Sequence, residues 1–141
     1  MTTLEPITDR EYLYTLASTD GLKELLTKEE SIAIVDKTYY MGWYVLVDEV
    51  RKGAIIIMQI GDRYILEAFK DTDQGLTGMK VSVDAGSMVL DLMEEITDVM
   101  YAYAREKDYP VQRLILKLGF KYLEELKTDR GNLYVYKKEL N

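Results

Sequence analysis

The stretch that most constrains the fold is Asp108–Phe120, DYPVQRLILKLGF, which is punctuated at both ends. Pro110 lacks the N–H that a first helical turn leaves unpaired anyway, so it suits a helix start. Gly119 accepts the left-handed conformation that ends many helices. Between them Val111, Leu114, Ile115 and Leu118 recur at helical spacing and form one apolar face. On either side the period changes to two. Asp98 to Arg105 alternates, with Val99, Tyr101 and Tyr103 on one side, and Phe120 opens an alternating segment that leads into a hairpin. The C-terminal third therefore reads strand, helix, hairpin.

Charge and missing residue types narrow the chemistry. The 141 residues contain no cysteine and no histidine. This removes disulfides, thiolate nucleophiles, imidazole bases and the metal ligands that those side chains provide. Acid–base work falls to Asp, Glu, Lys or Tyr. Adjacent acids such as Glu94-Glu95 and Glu124-Glu125 diverge on a helix or strand, so no metal site is expected. A net charge of −7 disfavours nucleic acid and anionic membrane surfaces and favours a basic partner or plain solubility. No apolar run approaches the roughly 20 residues of a membrane span, and the N-terminus is polar, so a cytoplasmic location is the default expectation. The length suits one domain, residues 1–141.

Along the chain, Thr2–Ile7 reads as a short strand. Thr8 and Glu11 fit a capping box. Tyr12, Leu13, Leu16 and Ala17 make the apolar side of a helix, Asp20-Gly21 interrupts it, and Leu22, Leu25 and Leu26 continue to an end at Lys28-Glu29-Glu30. Alternation from Ser31 to Lys37 suggests a strand. Tyr39–Asp48 suggests another, rich in Tyr, Trp and Val. Val50-Arg51-Lys52-Gly53 reads as a polar turn. Ala54–Ile60 is an apolar run suited to an interior strand, Gly61-Asp62-Arg63 a tight connection, and Tyr64–Phe69 the next strand. Asp71–Gly78 reads as a loop. Met79–Ile96 follows as a helix with Gly86 inside it, against a competing strand at Lys80–Val83. Tyr122–Leu126 and Leu133–Lys138 pair across Thr128–Asn132. The fold class expected is α+β, a mostly antiparallel central sheet with helices on both faces.

This order resembles the GNAT N-acetyltransferase fold. Many members carry, after the fifth strand, an asparagine, an alanine three residues on, a tyrosine, a lysine and Gly-Phe. Counting back from Gly119-Phe120 puts Asp108, Val111 and Ile115 at the first three positions, while Lys117 and Gly119-Phe120 agree. The closing Tyr134-Val135-Tyr136-Lys137-Lys138 and the opening Thr8-Asp9 are similar to the family's ends. The short, divergent GNAT-like proteins of tailed phages are the nearest in style. The resemblance implies acetyl-CoA as cofactor and a primary amine as substrate. The backbone of Leu66, Ala68 and Phe69 would lie along the pantetheine arm. Gly75, Thr77 and Gly78 would approach the pyrophosphate.

Glu67 sits mid-strand on a face shared with Ile65 and Phe69. Desolvation there would raise its pKa and suit it to be a general base, the role GNAT members often give a glutamate on this strand. Tyr109 is the phenol nearest to the expected general-acid position, which Ile115 occupies. Tyr39, Tyr40, Trp43 and Tyr44 form either a binding surface or a sheet face covered by a helix. The loop spacing departs from the family's pyrophosphate motif, and Asp71 and Asp73 would repel phosphate, with Lys70 and Lys80 offsetting them in part. These departures favour a non-catalytic domain working through protein contacts, as in a phage structural or host-interacting protein. An acetyl-CoA-dependent N-acetyltransferase is the alternative.

Overall fold

The computed structural model describes residues 1–19, 26–71 and 78–140. Its strands are β1 (Thr2–Pro6), β2 (Tyr39–Val47), β3 (Val50–Ile60), β4 (Arg63–Lys70), β5 (Val99–Arg105), β6 (Lys121–Thr128) and β7 (Gly131–Glu139). Its helices are α1 (Arg10–Thr19), α2 (Lys28–Thr38), α3 (Met79–Met93) and α4 (Tyr109–Lys117). The strands form one sheet in the order β1-β2-β3-β4-β5-β7-β6. Every junction is antiparallel except β4–β5, which is parallel.

The period-two segments give the sheet two apolar faces. On one, Leu13, Leu16 and Ala17 of α1 and Val35 of α2 pack on Ala54, Ile56, Met58, Ile65 and Phe69. On the other, Ala85, Val89, Leu90 and Met93 of α3, with Ile115 of α4 and Leu118 at its C-cap, pack on Ile55, Ile57, Leu66, Met100 and Ala102. Leu13 is fully buried, and burial of such a side chain contributes roughly 1.5–3 kcal/mol. Met79–Met93 forms the helix of the longer reading, ending three residues short of Ile96.

Four expectations are corrected. Ser31–Lys37 is helical, not a strand, and Lys28-Glu29-Glu30 begins a helix instead of ending one. Thr27 and Glu30 form a complete capping box at the start of α2, and its buried Ser31 and Val35 are four residues apart, on one helical face. Local capping thus overrides the alternation of Ile32 and Ile34. Val50–Gly53 is strand, not turn. The reversal is made by Asp48 and Glu49, with φ of 50° and 72° and Val47 paired to Val50. Two central residues at positive φ give a hairpin whose twist matches its strands. Finally, Asp9, not Thr8, caps α1: its carboxylate accepts from the N–H groups of Glu11 and Tyr12 at 3.0 and 3.3 Å. Of the expected second helical piece, Asp20 to Leu25 lies outside the described residues.

Candidate functional site: the cleft between the central strands

The ends of α4 show what its punctuation does. The Asp108 carboxylate accepts from the Val111 N–H at 3.4 Å and pairs with Arg105 Nη2 at 3.3 Å. At the other end Gly119 has φ of +94°. The Gly119 N–H bonds the Leu116 carbonyl and the Phe120 N–H bonds the Ile115 carbonyl. That double closure, with Phe120 and Ile115 both buried, is a Schellman motif with its hydrophobic contact. Lys138 Nζ donates to the Leu118 carbonyl at 2.6 Å. Gln112 Nε2 donates to the carbonyls of Arg105 and Glu106 at 2.9 and 2.8 Å, holding the β5–α4 corner.

This corner stands at the mouth of an opening in the sheet. Among the described residues the parallel β4–β5 ladder consists of Ile65↔Tyr101 and Leu66↔Ala102. Beyond it Ala68 and Phe69 continue to pair with β3, and Tyr103 and Ala104 with β7. Each strand keeps its outer neighbour while the gap between the two widens. A cavity of about 280 Å³ fills the gap and continues under α3 and α4, with Leu66, Ala68 and Phe69 on one wall and Ala102, Tyr103 and Ala104 on the other. Gly86 lets α3 approach the end of α4 closely: a Cβ there would lie 2.9 Å from Leu118 Cδ1.

Glu67 lines this cavity and is half-buried, with Ile65 and Phe69 of its face buried beside it. Two residues past the pair Ile65↔Tyr101, on the same face, stand Glu67 on β4 and Tyr103 on β5. A carboxylate and a phenol therefore stand on opposite walls where the strands part. Arg63, on the same face of β4, lies 4.4 Å from the Tyr101 ring centroid and also interacts with Tyr103. At the wider end Lys52, Lys70 and Arg105 line the cavity together with Asp108. Three cations against that carboxylate give the mouth a basic character within an acidic chain.

The other sequence-derived residues are distributed as follows. Tyr109 begins α4, is 64 % exposed and is not among the cavity-lining residues. Gly78 is the N-cap of α3, with no side-chain cap bond, one turn before the cavity-lining Ser82. Gly75 and Thr77 lie outside the described residues. Of the aromatic cluster, Tyr44 is fully buried while Tyr40 is 39 % exposed. Tyr103 was not singled out from sequence as a site residue, although its alternation with Tyr101 had already placed it on one strand face. Among the described residues no group of three or more acidic, histidine or cysteine side chains could hold a metal ion, and no helix is long and apolar enough to cross a membrane.

The backbone suits an acyl-CoA. An extended pantetheine arm needs an open strand edge, and the β4 backbone beyond Leu66 faces the cavity instead of β5. Phosphates bind at helix N-termini, and α3 begins beyond Gly78 with no side-chain cap bond, and no atom within 4 Å of a Cβ placed there, among the described residues.

No family model matches the sequence, and no curated protein matches it. Solved structures do. An acetyltransferase of the GNAT family from Bacillus anthracis is similar over 99% of this chain and 95% of its own, with 16% identity and a TM-score of 0.71. An N-acetyltransferase from Staphylococcus aureus is similar over 99% and 98%, with 12% identity and a TM-score of 0.73. The aminoglycoside acetyltransferase AAC(6')-Ib in complex with coenzyme A and kanamycin is similar over 99% and 95%, with 10% identity and a TM-score of 0.74. The chain has a divergent GNAT-like fold.

Proposed function

We propose that this protein is an acyl-CoA-dependent N-acetyltransferase acting on a small primary amine. The observation that carries the reading is the parting of β4 from β5 with Glu67 and Tyr103 on the two walls of the cavity. A sheet paired continuously across that junction would leave no room for a cofactor. Solved neighbours that hold coenzyme A with an aminoglycoside support the ligand class.

When bound, acetyl-CoA supplies an activated acyl group. The backbone of Leu66, Ala68 and Phe69 would hold its extended arm, and Gly78 with the α3 N-terminus would take the pyrophosphate, aided by Lys52 and Lys70. Glu67 accepts the proton of the substrate ammonium so that the amine can attack. Tyr103 Oη, on the opposite wall, would protonate the departing thiolate, a role Ile115 cannot fill, and Arg63 would fix the direction of that phenol. Tyr109, the phenol nearest in sequence to the family's general-acid position, is exposed at the start of α4 and stands outside the cavity.

Calorimetric titration with acetyl-CoA tests the reading. Binding at micromolar to sub-millimolar concentration, abolished by Gly78→Glu, supports it. No binding at near-millimolar concentration overturns it. Ile115 favours a second reading, a domain acting through protein contacts alone, because an isoleucine 5 % exposed stands where the family often places its phenol.

A further inference from the structure

We infer that one ordered water molecule sits between Ser31 and Glu67, and that Ser31 positions the Glu67 carboxylate through it. Behind Glu67, on the side of the sheet covered by α1 and α2, lies a second cavity of about 20 Å³. A single water needs roughly 10–15 Å³ and two or more polar partners. Ser31 and Glu67 are the two polar side chains that line this cavity among the described residues; the rest of the wall is apolar.

Ser31 is the anomaly that asks for the water. It is 5 % exposed, and its hydroxyl has no hydrogen-bond partner among the described residues. Its N–H is already used, bonding the Thr27 carbonyl at 3.0 Å. The capping box of Thr27 and Glu30 fixes the first turn of α2, so Ser31 is held inward beside Val35. Alanine would serve the helix better and leave no polar atom buried. A water in the cavity gives the hydroxyl its partner: Ser31 Oγ–H donates to the water, and the water donates to a Glu67 carboxylate oxygen.

Glu67 and Phe69 line both cavities, so the water reaches the carboxylate from the side away from the cofactor cleft. A donor to the charged form favours ionisation and opposes desolvation. Lys52, Lys70, Tyr103, Arg105 and Asp108 share the large cavity with Glu67. Among the described residues the small cavity adds no further titratable group, and Asp36 of α2 is engaged by the Tyr14 hydroxyl at 2.6 Å. The water site stands on the cavity and the orphaned hydroxyl; its catalytic meaning rests on the proposed function.

The experiment is a carbon-detected NMR titration of the Glu67 carboxyl in the full chain and in Ser31→Ala and Ser31→Cys, with acetyl-CoA binding and thermal unfolding measured alongside. The expected result is about tenfold higher proton affinity at Glu67 in Ser31→Ala and an intermediate value in Ser31→Cys. The acid limb of the kcat/KM profile moves upward in the same order, and acetyl-CoA affinity stays unchanged. An unchanged Glu67 titration in folded Ser31→Ala overturns the inference, as does a variant more stable than the parent, since that is the behaviour of a hydroxyl with no partner. If the parent fails to bind acetyl-CoA, the proposed function falls while the titration still reads the bridge.

Discussion

Arg130 Nη1 lies 2.7 Å from Glu30 Oε1, joining the turn of the closing hairpin to the capping box of α2 across 100 residues of sequence. The same carboxylate accepts from the Thr27 N–H at 3.0 Å. The Arg130 guanidinium, and after it the Thr27 amide, lower the Glu30 pKa to about 2. A carboxyl depressed in the folded state adds stability that is complete above its ordinary value of 4.5 and is lost as pH falls through about 2. Arg130→Ala should therefore melt slightly below the parent at pH 7, with the gap closing between pH 4.5 and pH 2. Both side chains are largely solvated, so the gap should also shrink in high salt. Melting curves across that pH range check it; a gap independent of pH would show that the pair contributes nothing.

Glu67→Gln keeps the size and the hydrogen-bonding atoms but cannot take a proton. Loss of a general base costs roughly 10²–10⁴-fold. The variant should lose that much kcat with acetyl-CoA affinity unchanged. Tyr103→Phe should lower kcat by a smaller factor, and Tyr109→Phe should leave it near the parent's, because Tyr109 does not line the cavity. Steady-state kinetics with calorimetry separates the three.

The glycines beside the cleft divide by what their missing Cβ would meet. At Gly53 it would stand 2.1 Å from the Phe69 carbonyl oxygen, a backbone atom of β4 that cannot move aside alone. Gly53→Ala should destabilise by roughly 1–3 kcal/mol and, on the proposed function, weaken acetyl-CoA binding by shifting the strand proposed to hold the cofactor. At Gly86 the neighbour is the end of the Leu118 side chain at 2.9 Å. There the roughly 1 kcal/mol gain in helix propensity offsets the crowding, and Gly86→Ala should be near neutral in denaturant unfolding.

How much of this was legible beforehand depended on whether local signals were unopposed. Pro110 and Gly119 closed α4 where expected, because cap chemistry needs only neighbours in sequence. The stretch Ser31–Lys37 misled because Ile32 and Ile34 alternate, while the capping box that decides the matter lies at Thr27 and Glu30, just outside the alternating run. Val50–Gly53 misled because polar side chains suggested a turn where Asp48 and Glu49 make it. At the proposed site, Glu67 could be picked out as a candidate from its apolar neighbours on β4. Tyr103 could not, because its relevance comes from the parallel register of β4 with β5, a pairing between segments some thirty residues apart.

Tyr44 gives a last test, of the packing that sets α1 on the sheet. It is fully buried, and its Oη accepts from the N–H groups of Thr8 and Asp9 at 3.1 and 2.7 Å. The Arg51 guanidinium lies 3.9 Å from its ring centroid, and the Tyr12 ring meets it edge-on at 5.5 Å. Tyr44→Phe keeps both ring contacts and strips the acceptor from two amides at the entrance to α1. Leaving such groups unsatisfied costs roughly 1–3 kcal/mol. Tyr12→Phe removes one hydroxyl, which donates to Asp71 at 2.9 Å, and its half-exposed setting lets water replace the bond, so about 0.5–1.5 kcal/mol is expected. Denaturant unfolding should rank Tyr44→Phe as the costlier change, and amide exchange should accelerate at Thr8, Asp9 and the first turn of α1. An equal cost for the two variants would mean that water reaches the Thr8 and Asp9 amides as freely as it reaches Asp71.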